Sequence, residues 1–195
     1  MNRTRAWWNG LEPQWRQAFR EAFFSRPSPS FSPSEEELHQ LLHTQVLRLA
    51  GPGAPYSNLS IALTNLSGVV ALRDLTYLSV TDCHITTLEE LHGHHQLRSL
   101  FVQDNRLTSL KGIESCTGLQ ELYAQNNALS SVAPLRSLTR LHTLYVSGNA
   151  LTNLDGLTPH HGEVMRDCFV LPNAGLPNRE IIRLQQEIGL IPRRG

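Results

Sequence analysis

Leu75, Leu97, Leu119 and Leu141 stand 22 residues apart, and each opens a version of one pattern, L-x-x-L-x-L-x-x-N-x-L-x-x-L. A fixed period of this length constrains the chain more than any other feature. One such segment cannot bury its own apolar face, so it is stable only when stacked on neighbours of the same kind. The expectation is a solenoid. Its concave sheet is a broad surface for binding rather than a pocket for chemistry.

The repeats can be followed residue by residue. The first carries Leu75, Leu78, Val80, Cys83, Ile85, Leu88 and Leu91, and the second Leu97, Leu100, Val102, Asn105, Leu107, Leu110 and Ile113. The third carries Leu119, Leu122, Ala124, Asn127, Leu129, Val132 and Leu135, and the fourth Leu141, Leu144, Val146, Asn149, Leu151, Leu154 and Leu157. A fifth follows an insertion of two residues, with Met165, Cys168, Val170 and Asn173. Continuing the phase upstream gives a degenerate rung with Tyr56, Asn58, Ile61, Leu63, Leu66 and Val69. The alternating L-x-L part of each unit predicts a short strand with its apolar residues pointing inward. The Asn position turns the chain and can satisfy buried backbone groups of the bend.

Residues 54–175, on these motifs, resemble the leucine-rich repeat family. The likeness is greatest to its 22-residue class, seen in bacterial internalins and in a regulatory subunit of protein phosphatase 1. The family pattern accepts Asn or Cys at the turn, which accommodates Cys83. The resemblance implies an α/β solenoid: a right-handed horseshoe with a parallel concave sheet and helical caps at both ends. It also implies a non-catalytic protein-binding module, with a scaffolding or regulatory subunit that holds an enzyme as the specific version.

An apolar stack has two open ends that must be covered. Residues 176–195 are expected to form the C-terminal cap, with a helix from Glu180 to Ile188, Gly189 at its end and Pro192 beyond. Residues 1–53 are expected to form a helical N-terminal segment and cap. Ser34-Glu35-Glu36-Glu37 is a capping box ahead of the stripe Leu38, Leu41, Leu42, Gln45 and Leu49. Before it, residues 25–33 are rich in Ser and Pro and predict an extended linker. Earlier still, Trp8, Leu11, Trp15, Ala18, Phe19, Ala22 and Phe23 share one helical face. That aromatic face either packs on the cap of its own chain or, tethered by the linker, reaches a partner.

The position between the two inward residues of each strand faces the concave side. It carries Ser57, Ser79, Phe101, Tyr123, Tyr145 and Phe169, an aromatic column spanning roughly 14 Å over four rungs. One flanking column holds Tyr77, Ser99, Glu121, Thr143 and Asp167; the other holds Thr81, Gln103, Gln125, Ser147 and Leu171, with Asp82, Asp104, Asn126 and Gly148 beyond it. An apolar ridge edged by polar residues has the layout of a protein interface. Candidate partner-binding residues are therefore Phe101, Tyr123, Tyr145, Phe169, Tyr77, Gln103, Gln125 and Glu121. Two other readings stand beside this one. Aromatics suit strands and stack across them without any ligand, and the ridge could pair with a copy of itself.

Composition narrows the function classes. Lys plus Arg number 17 and Asp plus Glu number 17, a balance that argues against nucleic acid and against a polybasic membrane anchor. No apolar run is long enough for a membrane span, and Met1–Trp15 lacks the apolar core of a secretory signal. Cys83, Cys116 and Cys168 are sparse and unpaired in spacing, as expected for reduced thiols in a cytoplasmic protein. His92, His94 and His95, and then His160 and His161, form two clusters separated by three rungs, too far apart to share a metal. Solvated loop histidines are expected there. No phosphate loop, G-x-S-x-G or H-E-x-x-H motif is present, so no enzyme activity and no cofactor are expected.

Overall fold

The structure is a computed structural model and describes residues 3–195. Strand β1 is Val46–Ala50, β2 Tyr77–Thr81, β3 Ser99–Phe101, β4 Glu121–Tyr123, β5 Thr143–Tyr145, β6 Asp167–Leu171 and β7 Arg193–Arg194. They form one seven-stranded sheet in sequence order, with every adjacent pair parallel. The leucine period sets the register: Leu78 pairs with Leu100, Leu100 with Leu122, Leu122 with Leu144, and Leu144 with Cys168. The inward residues of β2 to β5, together with Ile85, Leu88, Leu107, Leu110, Leu129, Val132, Leu151 and Leu154 of the return paths, form one buried core. The return paths are short 3₁₀ turns at Ser67–Val69, Glu89–Leu91, Ile113–Ser115 and Ala133–Ser137. The fold is the leucine-rich-repeat solenoid that the period implied.

The turns after the strands follow from residue chemistry. Asp82, Asp104 and Asn126 have φ of 51°, 57° and 57°, and Gly148 stands at the next equivalent place with φ 65°. Asp and Asn tolerate this left-handed region better than other side chains, and Gly adopts it freely. Asn105, Asn127 and Asn149, one residue further on, and Asn173 at the next equivalent place form a ladder, the first three half-buried and Asn173 buried. Each donates from its amide to a carbonyl of the preceding rung: Asn105 to Val80, Asn127 to Val102, Asn149 to Ala124 and Asn173 to Val146, at 2.7–3.0 Å. Their Oδ1 atoms accept backbone N–H groups in return, from Ile85, Leu107, Leu129 and Leu151.

Both ends of the stack are covered. Helix α1 is Arg3–Gly10, and α2 is Pro13–Ala18, prolonged by a π-helical stretch over Phe19–Phe23. Trp8, Leu11, Trp15, Ala18 and Phe19 are buried, and Ala22 and Phe23 pack against them partly exposed. The aromatic face therefore packs on its own chain. Trp15 lies on Gly68, where an added Cβ would come within 2.1 Å of the indole ring, and its Nε1 donates to Asn65 Oδ1 at 3.1 Å. Glu12 accepts from Ser67 Oγ, and Glu21 accepts from the Ser60 backbone N–H. The Pro/Ser segment is extended but fastened: Arg5 donates to Pro33 O at 2.6 Å and Arg20 to Phe31 O at 3.0 Å. At the other end, α4 is Pro159–Val164 and α5 is Asn178–Arg183, continued by Leu184–Ile188, with Gly189 left-handed at φ 83°. Leu184, Ile188 and Leu190 close the core.

The first rung departs from the expected register. Helix α3, Glu35–Leu42, has the predicted Ser34 capping box but ends before Gln45 and Leu49. Leu47 and Leu49 are instead the inward residues of β1, which pairs Val46 with Tyr77. The first strand thus lies upstream of position 54, and Arg48, not Ser57, occupies the concave column. The cause is an extra loop at Gly51-Pro52-Gly53-Ala54-Pro55. Gly51 lies so close to the Asp82 carbonyl that a Cβ would be 1.8 Å from it. Asn58, expected near a strand, instead brackets β1: its Oδ1 accepts from Ala50 N–H and its Nδ2 donates to Arg48 O. The return half of the expected rung does hold, since Leu63, Leu66 and Val69 are fully buried.

The histidine expectation is overturned at two positions. His94 and His161 are fully buried in the convex core, where Leu72, Cys116 and Leu138 occupy the other rungs. The ring nitrogens of His94 face the carbonyl oxygens of Leu91 and Val69 at 3.0 and 3.1 Å, bridging two rungs. Nδ1 of His161 accepts the Thr158 backbone N–H at 3.1 Å, which helps cap α4. Burial is the first cause that lowers both imidazole pKa values below 6.5. The folded state therefore prefers the neutral ring, while the unfolded chain takes up protons near 6.5. Their stabilising contribution is complete above that pH and is lost as pH falls toward the depressed folded values. Melting at about pH 5.5 is expected below that at about pH 7.5. In a His94→Leu/His161→Leu variant that gap narrows; an unchanged gap would show that other groups cause it.

A candidate binding face on the concave sheet

Parallel pairing in register puts the aromatic residues of adjacent rungs directly opposite one another. Phe101 pairs with Tyr123, Tyr123 with Tyr145, and Tyr145 with Phe169. Their rings stack nearly parallel, with centroids 4.4, 4.6 and 4.1 Å apart and interplanar angles of 8°, 16° and 13°. Tyr77, from the flanking column, leans onto Phe101 at 5.1 Å. The result is one continuous stack of five half-buried rings.

Two residues that sequence reasoning did not single out close this stack. The Arg48 guanidinium lies 5.0 Å from the Tyr77 ring, and that of Arg193 lies 5.8 Å from the Phe169 ring. Arg193 stands opposite Phe169 in β7, but 24 residues on, so the 22-residue period does not reach it. Arg48 was hidden by the long first rung. Guanidinium groups over aromatic faces are attracted by the ring quadrupole.

The flanking candidates behave differently from one another. Glu121 accepts from Ser99 Oγ at 2.6 Å, and Asp167 pairs with Arg193 at 2.6 Å. Burial first, then the negative charge of Glu121, raises the Tyr123 phenol above its ordinary pKa, so it stays protonated at neutral pH. Gln103 and Gln125 lie side by side along the other margin, each with a buried Oε1 that has no hydrogen-bond donor. Beyond them Asn126 Nδ2 donates to Asp104 Oδ1 at 2.9 Å. The eight candidate residues thus share one face: five as rings of the stack, Glu121 on one margin, and Gln103 and Gln125 on the other.

Sites for chemistry do not gather on this face. Among the described residues, no group of three or more His, Cys, Asp or Glu side chains is placed to hold a metal ion. The three cysteines are free and buried, and burial pushes the Cys116 thiol up to about 11 and the Cys168 thiol up to about 12. Thiols so far above neutral pH are poor nucleophiles. Clefts beside Glu21, Ser57 and Ser60, and beside Thr139, Arg140 and Arg166, lie away from the ring stack. Among the described residues no helix is long and apolar enough to cross a membrane.

Repeat register, turn chemistry and concave sheet together define a leucine-rich-repeat protein, and comparisons with known proteins agree. The family model for leucine-rich repeats (two copies) matches residues 95–136 and 117–159, the middle rungs of the stack. No curated protein sequence matches the chain significantly. Among solved structures, the functional domain of InlJ from Listeria monocytogenes aligns over 86% of this chain and 33% of its own, at 24% identity and a TM-score of 0.59. Internalin C2 of Listeria monocytogenes aligns over 51% of this chain and 44% of its own, at 25% identity and a TM-score of 0.49. This chain therefore spans less than half the length of either structure. Leucine-rich-repeat folds are in general protein–protein interaction modules.

Proposed function

We propose that this chain is a non-catalytic module that seats a partner protein on its concave face, as a scaffolding or regulatory subunit in the cytoplasm. The observation that carries the reading is the ring stack. Five half-buried aromatic side chains run across the concave sheet, closed by Arg48 and Arg193 and edged by polar residues. Tyr, Phe and Arg are enriched at interface centres, and a polar rim is usual around them. Three free thiols, all buried, agree with a reducing compartment.

Stacking alone would account for the rings without any ligand, so the test must separate stability from binding. In a Phe101→Ala/Tyr123→Ala/Tyr145→Ala variant each lost stacked contact costs about 0.5–1.5 kcal/mol beyond the lost burial. Cooperative unfolding is retained at a lower temperature, because the leucine core is untouched. In a crosslinking pulldown from the native cell, wild-type protein recovers partners that this folded variant loses. Recovery of the same partners by both would remove the ridge from consideration. Sedimentation at several concentrations addresses pairing of the ridge with a second copy: a monomer at high concentration eliminates it.

A further inference from the structure

The geometry points to an arginine-bearing, extended segment of the partner as the occupant of the ring stack. This inference rests on the concave face being the binding face and goes on to name the chemistry that face selects.

The first support is a set of carboxylates that have neutral hydrogen-bond donors but no cationic partner. Glu121 on one margin, and Asp82 and Asp104 on the other, form no ion pair among the described residues; on this face only Asp167, at the end of the Glu121 margin, is paired, with Arg193. Gln103 Oε1 and Gln125 Oε1, between the rings and those aspartates, lack donors. The three carboxylates are acceptors on the margins of the face, whereas the two Gln Oε1 atoms are buried. Arginine offers five N–H donors and no acceptor.

The second support is where the chain's own cations stand. Arg48 and Arg193 are confined to the two ends of the stack, and Arg193 is already engaged by Asp167. The middle of the ridge, at Phe101 and Tyr123, has carboxylates on both sides and, among the described residues, no cation over its rings. Burial first, and then the charge of Asp104, raise the Asp82 carboxyl above its ordinary value, while a hydrogen bond from Thr81 opposes the rise. The chain as a whole has no net charge, so a basic ligand is not drawn to it indiscriminately.

Ring geometry specifies how such a segment is held. The inner ring faces are covered by their neighbours at 4.1–4.6 Å, which leaves ring edges toward the concave side. Edges of aromatic rings are the positive part of the quadrupole. A partner cation therefore bonds to the flanking carboxylates, while its methylenes lie along the ring edges. Planar guanidinium groups reach several such acceptors at once, which a lysine ammonium does less well.

The test uses fluorescence anisotropy on the full chain with three labelled peptides of equal length: alternating Gly-Arg, alternating Gly-Lys and alternating Gly-Glu. The expected order is Arg above Lys, with no binding of the Glu peptide and weakening by salt. Glu121→Gln/Asp104→Asn, a nearly isosteric change that keeps the fold, should weaken the Arg peptide about tenfold. Tyr123→Ala should weaken it as well. Binding of the Glu peptide, or of none, overturns the cationic partner and leaves the concave-face reading to its pulldown. Arg-peptide binding that ignores Tyr123→Ala and the acidic double variant places the peptide elsewhere and overturns the inference directly.

Discussion

Trp15→Ala is expected to destabilise the protein by about 3–5 kcal/mol, the usual cost of truncating a fully buried tryptophan. For a chain of this size that corresponds to a fall in melting temperature of roughly 6–20 °C. The indole lies on Gly68, contacts Phe19 with ring centroids 5.3 Å apart, and donates to Asn65. Removing it opens the boundary between the helical cap and the first return path. In a solenoid each rung is held mainly by its neighbours, so the loss is felt first at the open end. Amide exchange should accelerate in β1 and β2 before it does in β4 and β5. A second substitution checks the contact from the other side. Gly68→Ala places a methyl within 2.1 Å of the ring and should be damaging in the wild-type chain. In the Trp15→Ala background the obstruction is gone, so the two costs should be far from additive. Additive costs, or an unchanged melt for Trp15→Ala alone, would mean that α1 and α2 do not hold the first rung.

The same cap shows what was legible beforehand. Trp8, Leu11, Trp15 and Phe19 share a helical face, and spacing alone placed them together; that the face packs on residues 60–68 required the tertiary contacts. Leu78, Leu100, Leu122 and Leu144 were readable because one period sets both burial and register. That ruler also aligned Phe101, Tyr123, Tyr145 and Phe169, although their stacking depends on side-chain conformation, which periodicity does not encode. It failed at Leu47 and Leu49. Leu49 fits a helical stripe continued from Leu41 through Gln45, although Leu47 does not, and a loop of unequal length removed the phase that would have decided. His94 was a missed signal rather than a silent one. Counting three residues back from each opening leucine gives Leu72, His94, Cys116 and Leu138, three apolar residues and one histidine at a buried position. In the fifth rung the same count back from Met165 gives Gly162, and the buried histidine is its neighbour His161, because the insertion and helix α4 break the phase.

Asn127→Ala is the second large effect, and it tests the ladder that links the rungs. The Asn127 side chain accepts from the Leu107 N–H at 2.9 Å and donates to Val102 O, Ala124 O and Gln125 O at 3.0–3.2 Å. Alanine removes all four bonds while leaving the backbone where the adjacent strands and leucines hold it. A buried group left without a partner costs about 1–3 kcal/mol, so a loss of roughly 2–4 kcal/mol is expected once partial relaxation is allowed for. Asn127→Asp separates the two halves of the role. It keeps an acceptor for Leu107 but turns a carboxylate toward three carbonyl oxygens, so at neutral pH it should be at least as harmful as alanine. Acidification should recover part of that deficit, because a protonated carboxyl again offers a donor. Cys83→Ala supplies the comparison at the rung where the ladder lacks its amide. A thiol is a weak hydrogen-bonding group, so its removal from a 3% exposed site should cost less than the loss of Asn127. If chemical denaturation ranks Cys83→Ala as equal to or worse than Asn127→Ala, packing rather than amide bonding governs the turn. The expected order instead assigns the turn to the asparagines, which join rungs that the leucines alone would only bring into contact.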